Sequence, residues 1–254
     1  MKSIQEYIVE KMVYNKSNSL RKYNYHPETK EELQDIINQL VEERGNEGDF
    51  NDIDVSKITD MSELFKDMKD FNGDISNWDV SKVTNMKKMF FDCKSFNQPL
   101  NNWDVSNVTN MILMFCSCQS FNQPLDNWDI SNVINMNNMF YKCKSFNQDI
   151  SKWNVSKAER IDGMFTGCKK FNQPLNDWNV HKVNNMGFMF AGCELFNQPL
   201  DKWNVSNVTN MSCMFQKCKS FNQDISNWNV SKITSRSDIF YDCSIEQKYK
   251  PKFK

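Results

Sequence analysis

The chain has 254 residues, a formal net charge of -1, 25% charged residues, 39% hydrophobic residues and nine cysteines. That balance argues against a general nucleic-acid or membrane-surface binder, which carries a basic excess. No run approaches the roughly 18 apolar residues of a membrane helix, and Met1 to Arg21 has no apolar segment like that of a secretory signal. A cytoplasmic or virion-associated location is therefore expected, with cell-surface display needing another export route.

At the N-terminus, Ser3 to Val13 reads as an amphipathic helix with Ile4, Tyr7, Ile8 and Met12 on one side, able to dock on the body or meet a partner chain. His26-Pro27-Glu28-Thr29 opens a second helix, in which Thr29 and Glu32 match a capping box. Leu33, Ile36, Ile37 and Leu40 supply its apolar stripe, and Gly45 closes it. Residues 1–45 are thus expected to form a helical cap.

From there one period governs the chain. Trp78, Trp103, Trp128, Trp153, Trp178, Trp203 and Trp228 recur every 25 residues, and they are all the tryptophans. Phe71, Asn72, Ile75, Val80, Val83, Met86, Met89, Phe90 and Cys93 open columns on the same period. Ile53, Val55, Ile58, Met61, Leu64, Phe65 and Met68 extend it backwards, so residues 46–245 hold eight repeats and the first is atypical.

Within a repeat, Met86, Met89, Phe90 and Cys93 lie at i, i+3, i+4 and i+7, which predicts a two-turn helix started by Thr84 or Asn85. Trp78 and Val80 flank Asp79, which predicts a short strand with the acid facing water. Neither element survives alone, so successive repeats must stack. The expected fold is α/β, a leucine-rich-repeat-like solenoid with short parallel strands on one face, short helices on the other and an N-terminal helical cap.

Two columns of side chains invite separate readings. Asn72, Asn97, Asn122, Asn147, Asn172, Asn197 and Asn222 follow the repeating phenylalanines, and an amide can satisfy the backbone of a tight turn, so they read as a structural ladder beside the tryptophans; a sugar-binding amide row is the alternative. Asp79, Asp104, Asp129, Asn154, Asn179, Asn204 and Asn229 sit between inward residues and form the candidate ligand-binding column, with solvated turn-forming residues as the competing reading.

Chemistry finds less support. Cys93, Cys118, Cys143, Cys168, Cys193, Cys218 and Cys243 share one repeat position and read as buried thiols rather than disulfides. With no C-x-x-C pairs and only His26 and His181 as imidazoles, no metal and no cofactor are expected. The seven glycines form no phosphate-cradling loop, and no nucleophile, base and orienting group cluster, so an enzyme is not expected. Residues 246–254, with Lys248, Lys250, Lys252 and Lys254, read as a basic solvated tail.

The repeat F-N-Q-P-L-x-x-W-x-V-S-x-V-x-x-M-x-x-M-F-x-x-C resembles that of the BspA-like leucine-rich-repeat proteins, across residues 46–245. That resemblance implies a solenoid of the kind displayed on bacterial surfaces for adhesion and also encoded by phages and large viruses. The functional expectation is a non-enzymatic protein- or peptide-binding scaffold, with adhesion implied by the resemblance. The alternative is a virion or scaffold component attached through its N-terminal helices. The partner is expected to be a protein or peptide, not a nucleic acid and not a membrane-spanning assembly; the oligomeric state is not set by the sequence.

Overall fold

The computed structural model describes residues 23–253. The expected helix at 3–13 lies outside them. The described part opens on α1, Lys30–Arg44. The Thr29 side chain accepts a hydrogen bond from the Glu32 amide, the Glu32 carboxylate accepts from the Glu28 amide at 2.8 Å, and the Gly45 amide donates to the Val41 carbonyl at φ 77°. These contacts satisfy orphan groups at both helix ends. Leu33, Ile37 and Leu40 are fully buried in one core with Phe50, Ile53 and Met61 of the first repeat. Arg44 clamps Asp52 with bonds of 2.8 and 3.0 Å, and Lys30 Nζ donates to the Ser62 hydroxyl.

Beyond α1 the chain forms eight stacked rungs of 25 residues, numbered here from rung 1 at 46–70 to rung 8 at 221–245. Single parallel bridges run from Asp60 through Asn85, Asn110, Asn135, Arg160, Asn185 and Asn210 to Ser235, one residue per rung. The phenylalanine columns stack face on: Phe65, Phe90, Phe115 and Phe140 follow one another at 5.3 to 5.6 Å between ring centroids.

The rungs are built of turns, and this corrects the expected helix-and-strand solenoid. Among the described residues the only α-helix is α1, joined by a short 3-10 turn at Gln247–Tyr249, and the β pairing consists of isolated bridges. The helix expected at Met86–Cys93 is a chain of tight turns: Met89, Phe91 and Cys93 amides donate to the Met86, Lys88 and Phe90 carbonyls. The remaining amides turn outward along the stack, with Met86, Lys88, Phe90 and Asp92 donating to Asn110, Ile112, Met114 and Cys116 of the next rung. Two facts explain the outcome. Helices pack about 8–10 Å apart, whereas these rungs repeat at 5.3 to 6.5 Å between ring centroids along the aromatic columns. Residues such as Lys88 (φ 56°) and Asp92 (φ 58°) are left-handed, which no right-handed helix admits. All four inward side chains remain buried, so the i, i+3, i+4, i+7 pattern reports an inward face without specifying a helix.

The expected strand at Trp78–Val80 is likewise absent. The segment lies between two turns, closed by Trp78 N–H to Ile75 O and Val83 N–H to Val80 O. Trp78 and Val80 are buried and Asp79 is exposed. Here side chains join the rungs instead of backbone pairs. Each indole N–H donates to a carbonyl of the preceding rung, from Trp78 to Phe50 and Trp103 to Ile75 up to Trp228 to Leu200, at 2.8 to 3.2 Å.

Residues 246–253 are not a solvated tail. The Glu246 amide donates to Asn222 Oδ1, Ile225 N–H donates to the Tyr249 carbonyl, and Pro251 is buried. Lys250 lies over the Phe240 ring and Arg236 over the Phe253 ring. This segment closes the last rung, whose aromatic column would otherwise meet water.

Candidate functional site

The stacking interactions account for the asparagine ladder first. Asn72 Oδ1 accepts from the Asn97 amide, and the relation repeats through Asn97, Asn122, Asn147, Asn172, Asn197 and Asn222 at 2.8 to 2.9 Å. The following glutamines reach back as well, Gln98 Nε2 to the Asn72 carbonyl and Gln223 Nε2 to the Asn197 carbonyl. These amides are spent on joining rungs.

The candidate ligand column is a row of exposed residues, each engaged locally. Asp79, Asp104 and Asp129 accept from the amides of Ser81, Ser106 and Ser131, and Asn154, Asn204 and Asn229 from those of Ser156, Ser206 and Ser231. Asn179 meets His181, through the ring nitrogen at 2.9 Å as well as the amide. Each thus fixes a turn through a bond two residues on. The Ser131 hydroxyl and amide hold the Asp129 carboxyl below the usual carboxylate range. One oxygen of each residue is committed to its turn.

Eight of the nine thiols are buried, and Cys243 in the last rung is half-buried. Among the column cysteines, Cys93 donates to the Phe65 carbonyl, and the pattern continues to Cys218 and Phe190. No cysteine is in a disulfide. Burial pushes the Cys116 thiol up to about 11, which suppresses thiolate chemistry at neutral pH.

A concave site appears elsewhere, on the side of the stack formed by the methionine-to-cysteine turns. A groove of about 610 Å³ crosses rungs 4 to 7. Its floor is Gly163, Gly167, Gly187, Ala191 and Gly192, and its walls include Tyr141, Lys142, Phe188 and Lys217. Its origin is visible column by column. Positions that carry Phe91 and Asp92 in rung 2 and Tyr141 and Lys142 in rung 4 hold Thr166 and Gly167 in rung 5, then Ala191 and Gly192 in rung 6. The backbone path is the same, so the missing side chains leave a trough. Gly163 has a further reason: at φ 64° its Cβ would stand 2.1 Å from Asn138 Oδ1.

The groove is rich in free donors. Backbone amides on its floor already donate to the next rung, as Gly163 does to Gly187 and Gly192 to Gln216. Asn185 Oδ1 accepts from the Gly187 amide and Asn210 Oδ1 from the Ser212 amide. Their NH2 groups therefore remain to meet a ligand. The Thr166 hydroxyl donates to the Phe188 carbonyl at 2.6 Å. Asp162, the lining carboxylate, is held by Arg160 through bonds of 2.9 and 3.0 Å. Lys142 and Lys217 have no carboxylate partner among the described residues, and Phe188 is 49% exposed.

None of these residues belongs to the column singled out from sequence. The signal was present in composition: four of only seven glycines fall between 163 and 192, at positions filled in neighbouring repeats.

Compared with known proteins, the chain matches the family model for a Mycoplasma protein of unknown function, DUF285, twice, over residues 33–153 and 137–252. The chain belongs to DUF285. The two matches overlap at 137–153, and each spans several rungs. The DUF285 match begins at Leu33, inside α1, so it takes in the helix packed on rung 1 as well as the rungs. No curated protein matches the chain.

Proposed function

We propose that this chain is a non-enzymatic scaffold that binds a protein or peptide. The observation that carries this reading is the groove across rungs 4 to 7, which interrupts an otherwise filled turn face and leaves Phe188 half exposed beside free amide and ammonium donors. A concave, partly apolar recess with a few placed polar groups on a rigid frame is the usual form of a binding site. The frame is rigid because its core columns are fully buried and each rung is hydrogen-bonded to both neighbours. The candidate column of Asp79, Asp104, Asp129, Asn154, Asn179, Asn204 and Asn229 is a flat surface that a large partner covers in addition.

The test is retention of polypeptide by the immobilised full chain from cell extract, with cross-linking to locate contacts. Cross-links between a retained polypeptide and the turn face of rungs 4 to 7 are expected. Recovery of no retained polypeptide would sink the scaffold reading.

A further inference from the structure

We infer that the groove across rungs 4 to 7 takes an acidic peptide segment, with carboxylates engaged by Lys142 and Lys217 and an apolar side chain set against Phe188. This rests on the peptide-scaffold reading above and names the chemistry of its ligand.

The charge pattern along one column supports the sign. Reading the second left-handed position from rung 1 to rung 8 gives Asp67, Asp92, Ser117, Lys142, Gly167, Gly192, Lys217 and Asp242. Acids occupy the ends of the array, and lysines bracket the two glycines at the groove. Two of the three acids in this column are met by lysine, Asp92 by Lys94 and Asp242 by Lys219. At the groove the relation is inverted: neither lysine has a carboxylate partner among the described residues, Lys142 Nζ lies over the Tyr141 ring at 5.1 Å, and Asp162 is already paired with Arg160. A protein of net charge -1 thus keeps a local cationic recess, which attracts and orients an anion.

The unpaired cationic donors favour an acidic peptide over a neutral sugar. The groove offers ammonium groups and the NH2 ends of Asn185 and Asn210, while the oxygens of those amides are occupied by backbone amides. Carboxylates and peptide carbonyls are acceptors and suit such a wall. Sugar hydroxyls also need acceptors; the groove's carboxylate, Asp162, is paired with Arg160, and the side-chain acceptors that remain are neutral, the amides of Asn138 and Gln216 among them. The exposed Phe188 ring and the glycine and alanine floor give an apolar side chain a place to lose water.

The experiment is selection of a displayed random dodecapeptide library on the immobilised full chain, repeated on Ala191→Tyr and Gly192→Asp. Both substitutions use residues that the same columns already hold: Tyr141 and Tyr241 in the first, and Asp67, Asp92 and Asp242, all at positive φ, in the second. Ala191→Tyr fills the trough and Gly192→Asp places an acid between the lysines. Enrichment of peptides with clustered Asp and Glu around an apolar residue is expected. Their affinity should fall about tenfold or more on either variant and weaken with added salt.

Neutral or basic winners would overturn the inference while leaving a peptide scaffold in place, and so would acidic winners that bind Ala191→Tyr as well as the parent. Displacement of acidic winners by a uronic-acid oligosaccharide that itself binds the parent more tightly would assign the groove to carbohydrate. Absence of any enriched peptide would remove both the inference and the scaffold reading. Unchanged melting temperatures for the two variants confirm that the comparison is between folded proteins.

Discussion

Rung 3 (96–120) and rungs 5 and 6 (146–195) share the aromatic and cysteine columns of their interior and differ on the turn face. Phe115, Cys118 and Trp103 have buried counterparts in Phe165, Cys168 and Trp153, and again in Phe190, Cys193 and Trp178. On the turn face, Leu113, the buried Cys116 and Ser117 of rung 3 become Gly163, Thr166 and Gly167, then Phe188, Ala191 and Gly192. Interior positions must match the copy above and below, or the stack does not close. Exterior positions on the same backbone need not match, and a groove can be cut there without disturbing the core.

If the interiors are equivalent, removing a tryptophan must cost the same in both regions. Trp103→Ala and Trp153→Ala are each expected to destabilise by about 3–5 kcal/mol, through lost burial and the loss of one of the two hydrogen bonds that the Ile75 or Leu125 carbonyl accepts. Chemical denaturation of both variants measures it. Costs differing by more than about 1 kcal/mol would show that the groove has loosened the core beneath it.

The next test concerns the ladder at the groove's own rungs. Asn172→Ala removes the acceptor for the Asn197 amide and a partner of Gln198, at an expected cost of about 1–3 kcal/mol for a donor left unsatisfied. Asn172→Asp keeps the acceptor and should cost less. Equal losses for the two would mean that side-chain shape, and not the bond between rungs, holds this corner.

How much of this was legible in the sequence depends on which interaction set each feature. The rung length and the buried set were legible, because residues that pack against their own copies must repeat. The conformation within a rung was not: i, i+3, i+4, i+7 spacing is shared by a helix and by a chain of tight turns whose left-handed positions carry lysine, leucine and phenylalanine as well as glycine. Only the spacing between rungs, 5.3 to 6.5 Å between stacked rings, decides between them, and a local pattern does not encode it. The indole bonds that replace a strand ladder at Trp78–Val80 were hidden for the same reason, since donor and acceptor stand 28 positions apart. The groove was legible as clustered glycines, but the period draws the eye to what recurs, and the groove is made by what does not.

Backbone strain separates the two regions more finely. Leu113 at φ 56° tolerates a left-handed conformation that costs an L-residue roughly 1–2 kcal/mol, whereas Gly163 and Gly192 occupy it freely. Gly192→Ala, whose Cβ would have 3.6 Å of clearance, is expected to cost about 1 kcal/mol. Gly163→Ala should cost somewhat more, because it also displaces Asn138 Oδ1, and Asn138→Ala in the same chain should recover the difference. Thermal melts of the three variants give the order. A Gly163→Ala protein as stable as Gly192→Ala would mean that the Asn138 side chain moves aside without loss.

The smallest effect distinguishes the acid-bearing rungs from the amide-bearing ones. Asp129 and Asn154 cap equivalent turns, accepting from the Ser131 and Ser156 amides at 2.9 and 3.1 Å, but only the first can titrate. Hydrogen bonds from the Ser131 hydroxyl and amide hold the folded Asp129 below its usual range, so the folded state binds its proton less readily than the unfolded chain. The resulting stability is fully present above the unfolded value of about 4 and is lost as the pH falls through the lower folded value. Asp60 acts in the same sense: burial pushes its carboxyl up, but bonds from Ser62 and Asn85 outweigh that and leave it lowered. In an NMR titration, acidification should therefore move the Ser131 amide resonance with a midpoint below 4 and leave that of Ser156 in place, and Asp129→Asn should abolish the Ser131 shift. A Ser131 midpoint at or above the ordinary aspartate value would remove the stabilising role of that cap, since a carboxylate that gains nothing from its turn has no reason to resist protonation.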